Sequence, residues 1–143
     1  MKRILLVTQY FHPEVFQINQ LVEILVDLNY EVYVIAPYPS YPTKDSISNA
    51  GDLNFRNNIE VKRIPIIRRD GSKLMSILNS ISFVINTTPI AIKKAFTYKP
   101  DYILTPQYSP ITSILPAFFT SLLTNRKLII WILDLWPESI KLI

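Results

Sequence analysis

Five short apolar runs, rich in β-branched residues, alternate along the chain with segments whose apolar residues recur at helical spacing. The runs are Arg3–Gln9, Glu31–Pro37, Val61–Ile67, Asp101–Thr105 and Lys127–Leu133. Strands that alternate with helices pair in parallel, because each helix carries the chain back across the sheet. The alternation therefore predicts an α/β fold, an open parallel sheet with helices on both faces.

The segments between the runs predict helices, and some of their residues mark helix ends or breaks. Helical spacing of apolar residues is found in Val15–Leu28, Lys73–Tyr98 and Pro110–Leu123. Asn29 stands where the C-terminal cap of the first helix belongs, and Pro89 should kink or split the second. The apolar run Ile129–Ile132 predicts a strand covered on both faces, whereas Pro65 places the third strand near an edge.

Composition excludes several kinds of site. The chain has 143 residues, which suits one domain, and it has no cysteine. A single histidine, His12, cannot build a histidine-rich metal site, so we expect no metal. With two glycines, Gly51 and Gly71, the chain cannot form the glycine-rich loops that hold dinucleotides or nucleotide phosphates, and we expect no cofactor.

The formal net charge of +4 comes largely from the middle of the chain. The basic residues cluster at Lys62, Arg63, Arg68, Arg69 and Lys73, followed by Lys93, Lys94 and Lys99. Such a patch can face anionic lipid headgroups, nucleic acid or solvent. Nucleic acid is disfavoured because no recognition motif accompanies the charge.

Two stretches without charge, residues 74–92 and 102–125, are long enough to cross a bilayer. The first holds many serine, threonine and asparagine residues, and the second holds three prolines. Both features favour a buried or interfacial helix over a membrane span.

In an open parallel sheet, ligands bind beyond the carboxyl ends of the strands, where the strand order reverses. In the loop after the first run, His12 could hydrogen-bond a sugar hydroxyl or be an isolated histidine. Pro13 and Glu14 fit the first turn of the following helix. The loop after the second run contains Tyr38 and Tyr41 among prolines, which suits a platform for sugars or lipid tails as well as ordinary turn packing.

The loops after the fourth and fifth runs carry polar and acidic side chains. Gln107 and Ser109 precede a helix N-terminus, which suits an anion or sugar site, although Ser109 could instead cap that helix. Asp134 and Glu138 flank Trp136 after the last strand. Asp134 could orient a hydroxyl or act as a base with Glu138 nearby, or it could cap a helix while Trp136 joins the core.

Together these loops resemble a known family. Tyr10-Phe11-His12-Pro13-Glu14 with Ile18-Asn19 and Leu21, then Tyr38-Pro39-Ser40-Tyr41-Pro42, then Asp134-Leu135-Trp136-Pro137-Glu138-Ser139, occur in the order found in the N-terminal domain of family 4 glycosyltransferases. The branch it resembles most contains bacterial enzymes of capsule, O-antigen and exopolysaccharide synthesis. The likeness spans essentially the whole chain.

The resemblance implies one Rossmann-like domain, residues 1–143, which forms the acceptor-side half of a GT-B enzyme and stops before the donor domain. Transfer from the nucleotide sugar would retain configuration without a metal. Asp134 and Glu138 would be catalytic. The residues lining the acceptor cleft would be His12, Glu14, Asn19, Tyr41, Gln107, Ser109 and Trp136. Leu133 stands where many relatives have a histidine, and Val15 and Phe16 where many have glycines.

The resemblance also implies partners and a location. The donor would bind through the missing domain and the acceptor would be lipid-linked or a glycan. The protein would be cytoplasmic, peripheral on the inner membrane face through Lys73–Tyr98, and would not bind nucleic acid. Two other hypotheses stay open: an acceptor-binding or membrane-docking subunit with a separate donor chain, which predicts an exposed apolar face, and an unrelated Rossmann-like binding module.

Overall fold

The structure is a computed structural model that describes residues 1–39 and 58–133. In these ranges the chain forms strands β1 Arg3–Val7, β2 Glu31–Pro37, β3 Ile59–Ile64, β4 Tyr102–Gln107 and β5 Lys127–Ile132. The α-helices are α1 Gln17–Asp27, α2 Lys73–Tyr98 and α3 Leu115–Thr124, and a 3-10 helix, Ile111–Ile114, precedes α3.

The five strands form one sheet in the order β3-β2-β1-β4-β5, and every neighbouring pair is parallel. The predicted Rossmann-like parallel sheet is therefore confirmed. β3 lies at an edge, as Pro65, which follows it directly, predicts. β1 lies at the centre and pairs with β2 on one side and β4 on the other.

Alternate side chains of β1 point to opposite faces of the sheet and enter two separate cores. Ile4 and Leu6 pack with α1, whose buried residues are Ile18, Val22 and Val26. Leu5 and Val7 pack with Phe83, Ala91 and Ala95 of α2 and Ala117 of α3. The helices therefore cover both faces of the sheet, as the sequence predicts.

Helix α1 begins two residues later than its apolar pattern predicts. Phe16 has an extended backbone and precedes the first helical residue, Gln17, while the side chain of Val15 is 95% exposed. The assignment of Pro13 and Glu14 to the first helical turn is therefore wrong. At the other end, Asn29 has a left-handed φ of 63°, which confirms its predicted place after the helix.

Pro89 does not split α2, which runs from Lys73 to Tyr98 as one helix. Proline removes one helical hydrogen bond, but Phe83 before it and Ala91 after it are both fully buried against the sheet. This packing holds both halves of the helix against the sheet.

Helix α2 is also long and apolar enough to cross a bilayer, with a mean hydropathy of 1.4 over its candidate window. One face of α2 nevertheless packs in the domain and buries Asn79 and Thr87 as well as Phe83. The sequence predicts a buried or interfacial helix, and 28% of the candidate window is buried. The second uncharged stretch, residues 102–125, contains β4 and α3 and so is not a continuous helix.

The prediction that β5 is covered on both faces is wrong. β5 lies at the edge of the sheet, and Ile129, Ile130 and Ile132 are all exposed, Ile132 by 60%. An apolar run shows what a strand can bury, whereas its position in the sheet decides what it does bury.

Replacing Phe83 by alanine should lower the free energy of unfolding by about 3–5 kcal/mol, because the ring is fully buried between α2 and the sheet. Phe96→Ala is the matched control on the same helix, since Phe96 is 59% exposed and its loss should cost less than about 1 kcal/mol. Urea unfolding followed by circular dichroism measures both. Equal losses would show that α2 does not pack as described.

Candidate functional site

The strand order reverses between β1 and β4. From β1 the chain proceeds outward through β2 to β3, then returns to the other side of β1 for β4 and continues to β5. Crevices in open α/β sheets lie beyond the carboxyl ends of the strands at such a point. The loops after β1 and β4 are therefore the candidate site, which we call the switch-point crevice.

A buried amide network fixes the crevice at the end of β1. Gln9, 2% exposed, donates from Nε2 to Asn79 Oδ1 at 3.1 Å. The same oxygen accepts from Arg69 Nε at 3.3 Å, and the Asn79 amide donates to the carbonyl of Ile67. Asn79 thus ties α2 and the segment before it to the end of β1. Gln9 Oε1 is buried and has no hydrogen-bond partner among the described residues.

Aromatic side chains line the same crevice. The ring of Tyr10 stacks on Phe16 with centroids 4.7 Å apart and meets the edge of Tyr108 at 5.2 Å. The Arg69 guanidinium lies 5.8 Å from the Tyr10 centroid. Burial raises the pKa of the Tyr108 hydroxyl, which has no hydrogen-bond partner in the described part of the chain. This hydroxyl is therefore protonated at neutral pH and able to donate.

Arg63 connects the loop after β1 to the end of β2. Its Nη1 donates to the Pro37 carbonyl at 3.1 Å and its Nη2 to the His12 carbonyl. Burial lowers the pKa of Arg63, and the carboxylate of Glu14 opposes this effect. The guanidinium thus acts as a charged clamp on backbone carbonyls.

The basic residues of the chain therefore do not form one solvated patch. Arg63 and Arg69 make the internal contacts above, and Lys94 Nζ lies 3.6 Å from the centre of the Tyr33 ring. The exposed basic residues of the set are Lys62, Arg68, Lys73, Lys93 and Lys99.

Three predicted site residues belong to the loop after β1 or to α1. His12 is half-buried, with its ring against Phe11. Glu14 is buried near Arg63. Asn19 is also buried and donates from Nδ2 to the Glu14 carbonyl at 2.7 Å. Asn19 therefore holds the loop in place.

Two further predicted residues, Gln107 and Ser109, lie at the end of β4. Gln107 is buried and donates to the Tyr108 carbonyl at 3.4 Å. Ser109 is exposed and does not cap the next helix, because Pro110 occupies the cap position and no side chain caps it. The remaining predicted residues lie outside the described residues: Tyr41, Asp134, Trp136 and Glu138.

Sequence reasoning missed Gln9, Arg63, Arg69, Asn79 and Tyr108 as residues that shape the crevice. Gln9 carried a signal, since a polar residue ended a buried strand at its carboxyl edge. Asn79 carried no such signal, because it is one of several polar residues in an otherwise apolar helix. The crevice offers amides, a guanidinium and phenol groups, which suit binding of hydroxyl-rich molecules. In the ranges 1–39 and 58–133 no three acidic or histidine side chains could hold a metal ion.

Comparison with solved structures identifies the fold, whereas comparison of sequences finds no match. No model of a protein family matches the chain, and no curated protein matches its sequence. Apo UGT2 of Phytolacca americana superposes with a TM-score of 0.64 at 12% identity, over 92% of this chain and 29% of that one. CalG4, the calicheamicin glycosyltransferase, gives a TM-score of 0.58 at 12% identity, over 98% of this chain and 36% of that one.

The same fold occurs outside glycosyltransferases. The C-terminal domain of the PF1911 hydrogenase from Pyrococcus furiosus gives a TM-score of 0.60 at 10% identity, over 90% of both chains. The chain spans about a third of the two glycosyltransferases that it matches. These likenesses establish a Rossmann-like fold of the kind present in GT-B glycosyltransferases.

Replacing Arg63 by glutamine should lower the free energy of unfolding by about 1–3 kcal/mol, because two part-buried hydrogen bonds to backbone carbonyls lose their charged donor. Hydrogen exchange should also speed up for the amides of residues 10–14. Lys62→Gln, at the exposed neighbouring position of β3, is the control and should change stability by less than about 0.5 kcal/mol. Unchanged exchange in the Arg63 variant would contradict the clamp.

Proposed function

We propose that this chain is the acceptor-binding half of a retaining GT-B glycosyltransferase similar to family 4. The reaction moves a sugar from a nucleotide sugar to a lipid-linked glycan in bacterial surface polysaccharide synthesis. One observation carries the proposal: two of the loops predicted to bind acceptor, residues 10–14 and 107–109, meet at the switch point of a fold that glycosyltransferases share.

The crevice chemistry supports an acceptor with hydroxyl groups. Gln9 Oε1 and the Tyr108 hydroxyl are buried polar atoms without partners among the described residues. Hydroxyl groups of a sugar can satisfy both, since each hydroxyl donates and accepts. The tyrosine rings offer the apolar surface on which a sugar face can rest.

The proposal assigns catalysis to the segment that follows β5. The chain leaves β5 at Leu133, whose N–H donates to the Gln107 carbonyl at 3.4 Å. Asp134 and Glu138 come next in the sequence and are the proposed acid–base pair at the acceptor. Tyr41 and Trp136 are the proposed aromatic contacts.

The donor requires protein beyond this chain. The described loops contain no glycine-rich phosphate cradle, so the nucleotide sugar would bind to a second domain. UGT2 of Phytolacca americana was solved with UDP-2-fluoro-glucose and pterostilbene, and this chain covers 30% of that chain. The proposal also places the protein in the cytoplasm against the inner membrane face, with the exposed Leu74 of α2 nearest the lipid.

A second candidate is a non-catalytic subunit that holds the acceptor for a separate donor-binding chain. The exposed apolar side chains beside β5 favour a protein partner on that side: Phe118, Phe119, Leu122, Leu123, Ile129, Ile130 and Ile132. Sequencing the source DNA past the codon for Ile143 separates the two candidates. An open frame of roughly domain length supports the fused enzyme, and a stop codon supports the separate subunit.

The isolated chain should bind an acceptor without transferring sugar to it. Titration with a polyprenyl diphosphate-linked sugar should shift the amide NMR signals of residues 9–14 and 107–112. Incubation with a panel of nucleotide sugars and the same acceptor should yield no glycosylated product, because the proposal assigns donor binding to a second domain.

Titration with UDP alone is the control and should leave these signals unmoved. Glycosyl transfer by the purified chain would contradict its assignment as the acceptor half. Acceptor shifts that avoid both loops would contradict the location of the site.

A further inference from the structure

A cleft that adjoins the switch-point crevice, and shares Arg69 and Ser109 with it, lies between the first half of α2 and the segment that enters α3. Its volume is about 970 Å³, near the upper end of the roughly 300–1,000 Å³ typical of small-molecule sites. One wall is α2, and the other is the chain from Ser109 to Leu115.

The long wall of the cleft is an apolar stripe. Ile77, Ile81 and Ile85 recur every four residues on α2, so they lie on one side of the helix and span roughly 12 Å. Each of them is about half exposed or more. Val84 and Leu115 add further apolar surface.

One end of the cleft is cationic. Arg69 and Lys73 line it, and no acidic side chain does so among the described residues. The nearby carboxylate of Asp70 accepts a hydrogen bond from the Ser72 backbone at 2.8 Å. Hydrogen bonds within the described chain use Nε of Arg69 and none of its other N–H groups. A guanidinium whose Nη groups donate to no other described residue, close to an ammonium, suits a phosphate.

Arg69 also joins this cleft to the switch-point crevice. Its Nε donates to Asn79 Oδ1, which in turn accepts from Gln9 at the end of β1. An anion on Arg69 would therefore lie beside the crevice, while an apolar tail would run away from it along α2.

We propose that this cleft binds a single lipid phosphate, with the phosphate at Arg69 and Lys73 and the hydrocarbon tail along the isoleucine stripe. Free phosphate would leave the stripe facing water, and an uncharged lipid would leave the cationic end without a partner. The inference rests on the proposed function, for which it locates the lipid part of the acceptor.

The test is calorimetric titration of the 143-residue chain with monomeric dodecyl phosphate. The chain should bind it at least about tenfold more tightly than inorganic phosphate or dodecyl maltoside, since each of these lacks one half of the interaction. Ile81→Asp should weaken binding by roughly tenfold or more, because it places a carboxylate in the apolar wall. Lys73→Gln, at an exposed position, should weaken it by roughly two- to fivefold.

Matched controls exclude general effects of charge. Ile24→Asp places a carboxylate on an exposed face of α1, and Lys99→Gln removes a cation beyond the end of α2. Neither should change the affinity. Equal weakening by the controls, or equal affinity for inorganic phosphate, would overturn the inference.

A membrane surface is the other possible source of lipid phosphate. Binding to vesicles that contain phosphatidylglycerol, without binding of monomeric dodecyl phosphate, would overturn the inference in favour of a surface contact. If the chain does not bind dodecyl phosphate but the acceptor still shifts the NMR signals of residues 9–14 and 107–112, this inference alone is overturned. Sugar transfer by the isolated chain would instead overturn the proposed function alone.

Discussion

The burial of β1 from Ile4 to Val7 is the constraint on which the rest of the described fold depends. Leu5, Leu6 and Val7 have no exposed surface, and both edges of the strand are paired. A parallel strand of this kind needs a helical layer on each face. The chain provides α1 on one face and α2 with α3 on the other. The same central position places the end of β1 beside the end of β4, where the candidate site lies.

Two polar side chains, the buried Asn79 and the part-buried Arg63, then fix the loops at that edge. Asn79 connects α2 to Gln9 and to the carbonyl of Ile67, and Arg63 connects the carbonyls of His12 and Pro37. Buried polar groups are costly unless they are bonded, so these contacts specify one loop arrangement. The crevice is therefore shaped by hydrogen bonds that side chains make to the backbone and to one another before any ligand binds.

The shared fold does not by itself choose an activity. Two glycosyltransferases and a hydrogenase domain superpose on this chain at similar TM-scores and similarly low identity. Function on such folds depends on the loops. Here the loops at the switch point carry amides, tyrosines and a fixed arginine, and the adjoining cleft combines an isoleucine stripe with two cations. These side chains are the basis of the proposed recognition of hydroxyl-rich and amphipathic molecules.

The sequence by itself determined the class of fold, since alternation of apolar runs with helical spacing is a local property. It also determined that β3 lies near an edge and that Asn29 ends α1. Only the tertiary structure decided that β5 is exposed, that β1 and β4 flank the crevice, and that Arg63 and Arg69 turn inward. Strand order and long-range hydrogen bonds join residues far apart in the sequence: 70 positions separate Gln9 from Asn79, and 98 separate Arg3 from Asp101. Local spacing carries no information about such pairs, because packing of the whole chain selects them.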